Sequence, residues 1–407
     1  MAGYEFYSIL VAYKRILGQI MEELYIATLI IIFLAVTATI LSYLLKISIA
    51  LVEIIMGIAG GFVIHAWFPT YEASINSSWF TVLASVGALM LTFLAGSELD
   101  AEVIKKEGTK AGLIGFVSYL TPFLGCTAVA YYGFGWSQSA SWLTGLVLST
   151  TSVAIVYGTL LELGMNDTAY GKSLLTACFV TDFCTVLSLG LIFSPFSFRT
   201  ILFFIFTAFI CVLLPFICHK TFKVLANKPS AFEIKFILLF LVGLGVVAIW
   251  AGYEPILPAF FVGIALSGAV GKNHVLIRHL QTVTFGLLTP FYFIRAGFLV
   301  SVPVLISSCI PILIFLCLKI FFKGIGVYSA VNIVSSYKKE VVYTALLMST
   351  GLAFGSIAAL FGLTHGIINQ EKYSLLIAVV VTSAIIPTLI ANAFYLPRHL
   401  LKVKISV

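Results

Sequence analysis

Residues 171–194 read GKSLLTACFVTDFCTVLSLGLIFS. The run is apolar over the length a helix needs to cross a bilayer, about 20 residues. One carboxylate, Asp182, stands at its middle. A charge at that depth is costly unless it faces a cavity, a partner or a bound cation. Most other carboxylates (Glu53, Glu98, Asp100, Glu162, Asp167, Glu254, Glu340) fall at or near the ends of apolar runs. Asp182 is therefore the first candidate for chemistry. A structural role, protonated and hydrogen-bonded between helices, is the competing reading.

The rest of the chain has the same character. Of 407 residues, 61% are apolar and 10% charged, and the mean hydropathy is +1.13. A water-soluble domain carries about 25% charged residues. The apolar runs are continuous rather than alternating, which excludes a β-barrel. Thirteen spans are expected, over 25–45, 49–68, 80–99, 110–132, 141–162, 171–194, 200–219, 232–250, 256–270, 279–298, 303–327, 340–362 and 374–396. Residues 1–24 mix Lys14, Arg15, Glu22 and Glu23 with apolar positions and read as an amphipathic lead-in, not a cleaved signal. The seven cysteines (126, 178, 184, 211, 218, 309 and 317) lie inside spans without a CxxC pair, so they read as small core residues.

The net charge of +7 does not point to nucleic acid, because the basic residues are scattered through short loops. With alternate loops on opposite sides, seventeen of the 23 Lys and Arg residues fall on one side and four (Lys14, Arg15, Arg199, Lys372) on the other. Arg295 and Lys319 lie within spans. The positive-inside rule then places the C-terminus in the cytoplasm and the N-terminus outside, in a cell inner (plasma) membrane.

Similar segments recur at an offset of about 200 residues. Residues 50–59 (ALVEIIMGIA) resemble 257–265 (LPAFFVGIA), and Phe93-Leu94-Ala95-Gly96 resembles Phe293-Ile294-Arg295-Ala296-Gly297. Leu148-Ser149-Thr150-Thr151 meets Met348-Ser349-Thr350-Gly351, and Val180-Thr181-Asp182 meets Val381-Thr382-Ser383. Six spans, a linking span and six more give two halves of opposite orientation. That is the plan of secondary transporters, whose site lies at the midplane between repeats.

The fifth span of each half carries a polar interruption: Thr150-Thr151-Ser152 after Ser149 in one, Ser349-Thr350-Gly351 with Gly355-Ser356 in the other. Hydroxyls and freed carbonyls there suit a small hard cation, although small residues also serve helix packing. Two discontinuous helices are expected. Either a proton or a cation can neutralise Asp182, and only the neutralised site crosses. Lys319 lies deep in an apolar run and needs a carboxylate partner or must lose its proton, and Asp182 is the obvious partner. Lys323 is nearer the cytoplasmic end and is expected to snorkel. Arg295 is the other candidate counter-charge.

These residues resemble the monovalent cation/proton antiporter superfamily, most closely its second branch of sodium/proton and potassium/proton exchangers. Residues 50–58 are similar to that branch's first-repeat motif, and Leu91–Asp100 (LTFLAGSELD) to its "LxFLxGLELD" stretch. Phe179-Val180-Thr181-Asp182 resembles its ion-binding pair, and Leu318-Lys319-Ile320 its late-span lysine. The likeness runs from about residue 30 to 396. It implies an all-α sodium/proton antiporter-like fold that works as a homodimer with elevator-type motion. Dimerisation helices would lie at 25–100 and 232–300, a moving core at 101–199 and 301–407, and a linking helix at 200–231. It also implies that Na⁺ or K⁺ and H⁺ are the cargo and that no cofactor is needed. The residue before the aspartate is Asp in electrogenic members; here it is Thr181, which implies one proton per cation and electroneutral exchange. Some potassium-efflux members carry a cytoplasmic nucleotide-binding domain, and none is expected within a chain ending at Val407.

Other classes fit less well. A channel needs a pore that usually repeats around a symmetry axis. A sodium-coupled organic-anion symporter would need cationic residues beside the breaks, and no Arg pair lies there. An intramembrane enzyme would show HExxH, paired aspartates or a Ser/His dyad at depth, and all six histidines lie near loops.

Overall fold

The computed structural model describes residues 2–45, 47–67, 78–97, 101–165, 168–193, 197–225, 232–268, 274–334 and 337–400, without the side chains of 2–20, 23, 101–108, 161–162, 219 and 222–225. Glu98, Asp100 and Asp167 lie outside the described residues, as does the side chain of Glu162. Among the described residues the fold is helical throughout, with no strand. Seventeen helices follow in order: α1 (Ala2–Leu45), α2 (Ile49–Trp67), α3 (Ser78–Ser97), α4 (Ala101–Ala128), α5 (Gln138–Ser149), α6 (Val153–Glu162), α7 (Ala169–Phe193), α8 (Phe198–Leu225) and α9 (Phe232–Ala251). The rest are α10 (Ile256–Leu266), α11 (His274–Val283), α12 (Thr289–Phe298), α13 (Val302–Ser307), α14 (Cys309–Val334), α15 (Val341–Met348), α16 (Ala353–Thr364) and α17 (Gln370–Phe394).

Every expected span is occupied by helix, and eleven helical segments are long and apolar enough to cross a membrane. Several boundaries depart from expectation. The lead-in is no separate element, because α1 runs unbroken from Ala2 to Leu45. In the ninth span α10 covers Ile256–Leu266, and residues 269–270 lie outside the described residues. The tenth is α11 and α12 joined through a π-helical turn at Thr284–Leu288, where Pro290 in the first turn of α12 removes a backbone donor. The eleventh is split at Ser308 between α13 and α14.

Helices α1, α2, α3, α10 and α12 pack as one group, and α4–α7 with α14–α17 pack as another. The first group is held by two glycine contacts. A Cβ on Gly57 would lie 3.0 Å from Gly297 Cα, and one on Gly263 2.9 Å from Gly96 Cα. Only glycine lets the backbones of α2 and α12, and of α3 and α10, approach so closely. Gly57 aligns with Gly263 in the internal repeat, and Gly96 with Gly297. The two contacts are therefore copies of one another, exchanged between inverted halves.

The second group contains both interrupted spans. Helix α5 stops at Ser149 and α6 begins at Val153; α15 stops at Met348 and α16 begins at Ala353. The cause is local. Ser149 and Thr150 donate their hydroxyls to the carbonyls of Leu146 and Val147, both at 2.8 Å. Ser349 and Thr350 do the same to Ala345 and Leu347, both at 2.7 Å. Side-chain hydroxyls thus take carbonyls that terminate each half-helix.

Candidate ion-binding site

The two breaks cross and are hydrogen-bonded to each other. Thr151 Oγ1 donates to Met348 O at 2.9 Å, and Ser152 N to Thr350 O at 2.8 Å. The C-terminal ends of α5 and α15 meet there, each carrying a partial negative charge of roughly half a unit, alongside the positive N-terminal ends of α6 and α16. Thr150, Thr151, Ser349, Thr350 and Ser356 are buried, and Gly355 lies against Thr150 Oγ1. Six of the residues singled out in the two breaks therefore share one locus.

Asp182 projects from α7 in the same helix group and is 2% exposed. Its Oδ1 is buried with no hydrogen-bond partner. Thr181 is fully buried, and its hydroxyl donates to Ala177 O at 3.0 Å, with Gly115 O of α4 at 3.4 Å. Its hydroxyl proton is thus committed to backbone, leaving only its oxygen lone pairs free to meet a cation.

The lysines depart from expectation. Lys319 is fully buried but donates to Ser383 Oγ at 3.0 Å. Lys323 does not snorkel: it too is fully buried and donates to Thr151 Oγ1 at 2.9 Å. Lys323 is thereby bonded to the crossing itself, whereas Lys319 is bonded to α17. Neither forms a direct ion pair with Asp182 among the described residues. Arg295 lies elsewhere, on α12, beside Tyr292 and Glu254 in a cavity of about 450 Å³. The pairing of Asp182 with Lys319 or Arg295 therefore has no contact to support it.

Two further features escaped the sequence reading. Ser383 holds the position of the second repeat that Asp182 holds in the first, and it is the acceptor for Lys319 of α14. That signal was present in the alignment of Val180–Asp182 with Val381–Ser383. Glu53, read as a span-end residue, is 1% exposed in the first turns of α2, and neither of its oxygens has a partner. Only packing reveals that.

The carboxylate of Asp182 and the buried hydroxyls and helix-end carbonyls of this helix group are hard oxygen atoms, which suit a monovalent or other hard cation and not a soft metal. Among the described residues no group of three His, Cys, Asp or Glu side chains could chelate a metal. A partnerless carboxylate oxygen beside two crossed, interrupted helices of inverted repeats defines a secondary transporter for a small cation.

A family model described as "Sodium/hydrogen exchanger, transmembrane" matches residues 29–394. The chain belongs to that family. It is 28% identical over 330 residues to the "Probable Na(+)/H(+) antiporter 3" of Methanocaldococcus jannaschii, covering 77% of this chain and 83% of that protein. It is 27% identical over 337 residues to the "Na(+)/H(+) antiporter" of Enterococcus hirae, covering 76% and 84%. It is also 24% identical over 358 residues to the "Na(+)/H(+)-K(+) antiporter GerN" of Bacillus cereus, covering 84% and 89%. Among solved structures, the sodium proton antiporter MjNhaP1 of Methanocaldococcus jannaschii shares the fold, with a TM-score of 0.69 over 91% of this chain and 97% of that one at 14% identity.

Proposed function

We propose that this protein exchanges a monovalent cation, Na⁺ or K⁺, for protons across the membrane, with Asp182 binding one or the other. The observation that carries the proposal is the buried, partnerless Oδ1 of Asp182 beside the crossed breaks. An unpaired carboxylate in a dry interior is unstable as an anion, so it is occupied either by a proton or by a cation. Thr150, Thr151, Ser152, Ser349 and Thr350 supply the remaining oxygens. Thr181 contributes through its oxygen only.

Lys323 is the counter-charge of Asp182 in this reading, transmitted through Thr151. Lys319, held by Ser383, offsets the negative ends of α5 and α15. Asp182 is the carboxylate that travels with the ion, and Thr181 cannot ionise, so one proton leaves per cation and exchange is electroneutral. The core helices (101–199 and 301–407) carry the site and move against a scaffold (25–100 and 232–300) joined through 200–231, and the scaffold forms a homodimer in the lipid. The lysine-rich face is cytoplasmic, in a cell inner membrane.

The test is dye-quench exchange in proteoliposomes with Na⁺, Li⁺ and K⁺ in turn. Wild type should exchange at least one of them for protons, and Asp182→Asn should lose exchange by at least about tenfold, the scale of an essential charged contact. Full exchange by the Asn variant would remove Asp182 from the mechanism.

A further inference from the structure

Four polar contacts join the scaffold helices to the core helices, and they run from the midplane to the lysine-poor face. Tyr292 OH meets Ser356 Oγ at 3.4 Å, and Tyr373 OH donates to Ala296 O at 2.7 Å. Gln370 Nε2 donates to Leu299 O at 3.4 Å, and Glu254 Oε1 lies 3.6 Å from His365 Nε2. The last is the only one of the four between two titratable groups. We propose that Glu254 and His365 form a latch that closes the lysine-poor face when His365 is protonated, and that its release passes Glu254 to Arg295.

The geometry on each side supports a switch. Glu254 sits in the short connection between α9 and α10, behind a tight turn in which Gly252 has φ +80° and its N–H donates to Ile249 O. That turn presents the carboxylate to the core. His365 caps the C-terminus of α16, with its ring 4.2 Å from that of Phe361 and its Nδ1 3.1 Å from Phe361 O. A carbonyl can only accept, so Nδ1 carries the proton. Nε2 of the neutral ring then turns a lone pair toward the Glu254 carboxylate. Protonation converts that repulsion into a charge-assisted contact and also places a cation at a helix C-terminus, where it is favoured.

Arg295 supplies the second position. It lines the same cavity as Glu254, its Nε has no hydrogen-bond partner, and no carboxylate pairs with it among the described residues. The tyrosines Tyr292 and Tyr373 are the titratable groups near it. Around the latch, α3 contributes Thr81 and Ser85, α9 contributes Val242, Val246 and Ile249, and α16 contributes Thr364. The charged or titratable groups in that cavity wall are therefore Glu254, Arg295 and Tyr292. Burial raises the Glu254 carboxyl above its ordinary range and His365 opposes that shift, so the carboxylate gains from either cation. In the closed state it faces His365 of the core; once the core moves away, Arg295 of the scaffold is the cation left within its cavity.

Hydrogen–deuterium exchange of the full chain in lipid nanodiscs tests the latch without any transported ion, so its failure is distinct from failure of the exchange reading. Peptides over 251–257 and 363–370 are followed at about pH 5.5 and about pH 8, spanning the range where histidine changes charge, and corrected for intrinsic chemical rates. Wild type should exchange roughly two- to fivefold more slowly in acid, the worth of a partly exposed ion pair. Glu254→Gln and His365→Gln should each abolish that ratio. Arg295→Gln, which removes the competing partner, should keep the slow rate in acid and move the change to fast exchange to higher pH, read at intermediate pH values. A wild-type ratio near one, or an unchanged ratio in either latch variant, overturns the proposal. Wild-type behaviour of Arg295→Gln overturns the hand-over. If one latch variant does not elute as a folded species, the other decides.

Discussion

Two fully buried lysines and one buried carboxylate in a single helix group make an unusual charge balance. Lys319 and Lys323 are four residues apart on α14 and so share a face. Their ends separate, one to Ser383 and the other to Thr151. This separation predicts different losses. Lys323→Gln should change the pH dependence of exchange, because the counter-charge proposed for Asp182 is gone. Lys319→Gln should leave that dependence in place and instead lower thermal stability, by about 1–3 kcal/mol for a buried group left unpaired. Transport against pH on both variants, with melting curves, separates the roles, and identical profiles would contradict the assignment. Glu53 bears on stoichiometry. As a buried carboxyl outside the crossing, it should not enter the coupling, and Glu53→Gln should leave unchanged the ratio of cation to proton gradients at which net exchange in liposomes stops.

The breaks belong to the scale of the element. Hydroxyls bond the last carbonyls of each half-helix, and the two ends hydrogen-bond across the crossing. Gly351 sits where a side chain cannot: a Cβ there would run into Lys319 Nζ and come within 2.9 Å of Thr150 Oγ1. Gly351→Ala should therefore displace Lys319 or open the crossing, lowering apparent cation affinity more than expression. Thr151→Val removes both the donor to Met348 O and the acceptor for Lys323 at almost constant volume. It should cost about 1–3 kcal/mol and cut exchange by roughly tenfold, read as transport rate per folded molecule. Unaltered transport in Thr151→Val would mean that the crossing does not transmit the lysine's charge.

On the scale of the whole molecule, the exchanged glycine contacts, Gly57 with Gly297 and Gly96 with Gly263, tie α2 to α12 and α3 to α10 in a pseudo-symmetric pair. Gly57→Val and Gly263→Val should destabilise by similar amounts, on the order of 1–3 kcal/mol for overpacking, since they are copies of one contact. A large difference in melting between the two would argue against equivalent halves. The dimer is tested by native mass spectrometry in mild detergent, where a species at about twice 44.2 kDa is expected.

Much of this architecture was legible in the chain itself. Long apolar runs can satisfy their backbone in lipid only as helices, so composition determined the class of fold and the position of nearly every span. Clusters of Ser, Thr and Gly marked in the sequence where α5 and α15 stop, around Thr150 and Thr350. The depth of Asp182 in its run marked it as the candidate for chemistry. Tertiary structure alone decided where the two lysines of α14 reach. Lys319 and Lys323 differ by one helical turn, and which of them reaches Ser383 and which Thr151 depends on how α14 crosses the breaks. It also decided that Arg295 looks into a cavity with Glu254 and not toward Asp182, and that Glu53 is buried. Periodicity and hydropathy act along one helix, whereas charge pairing depends on distances between helices that only their packing sets.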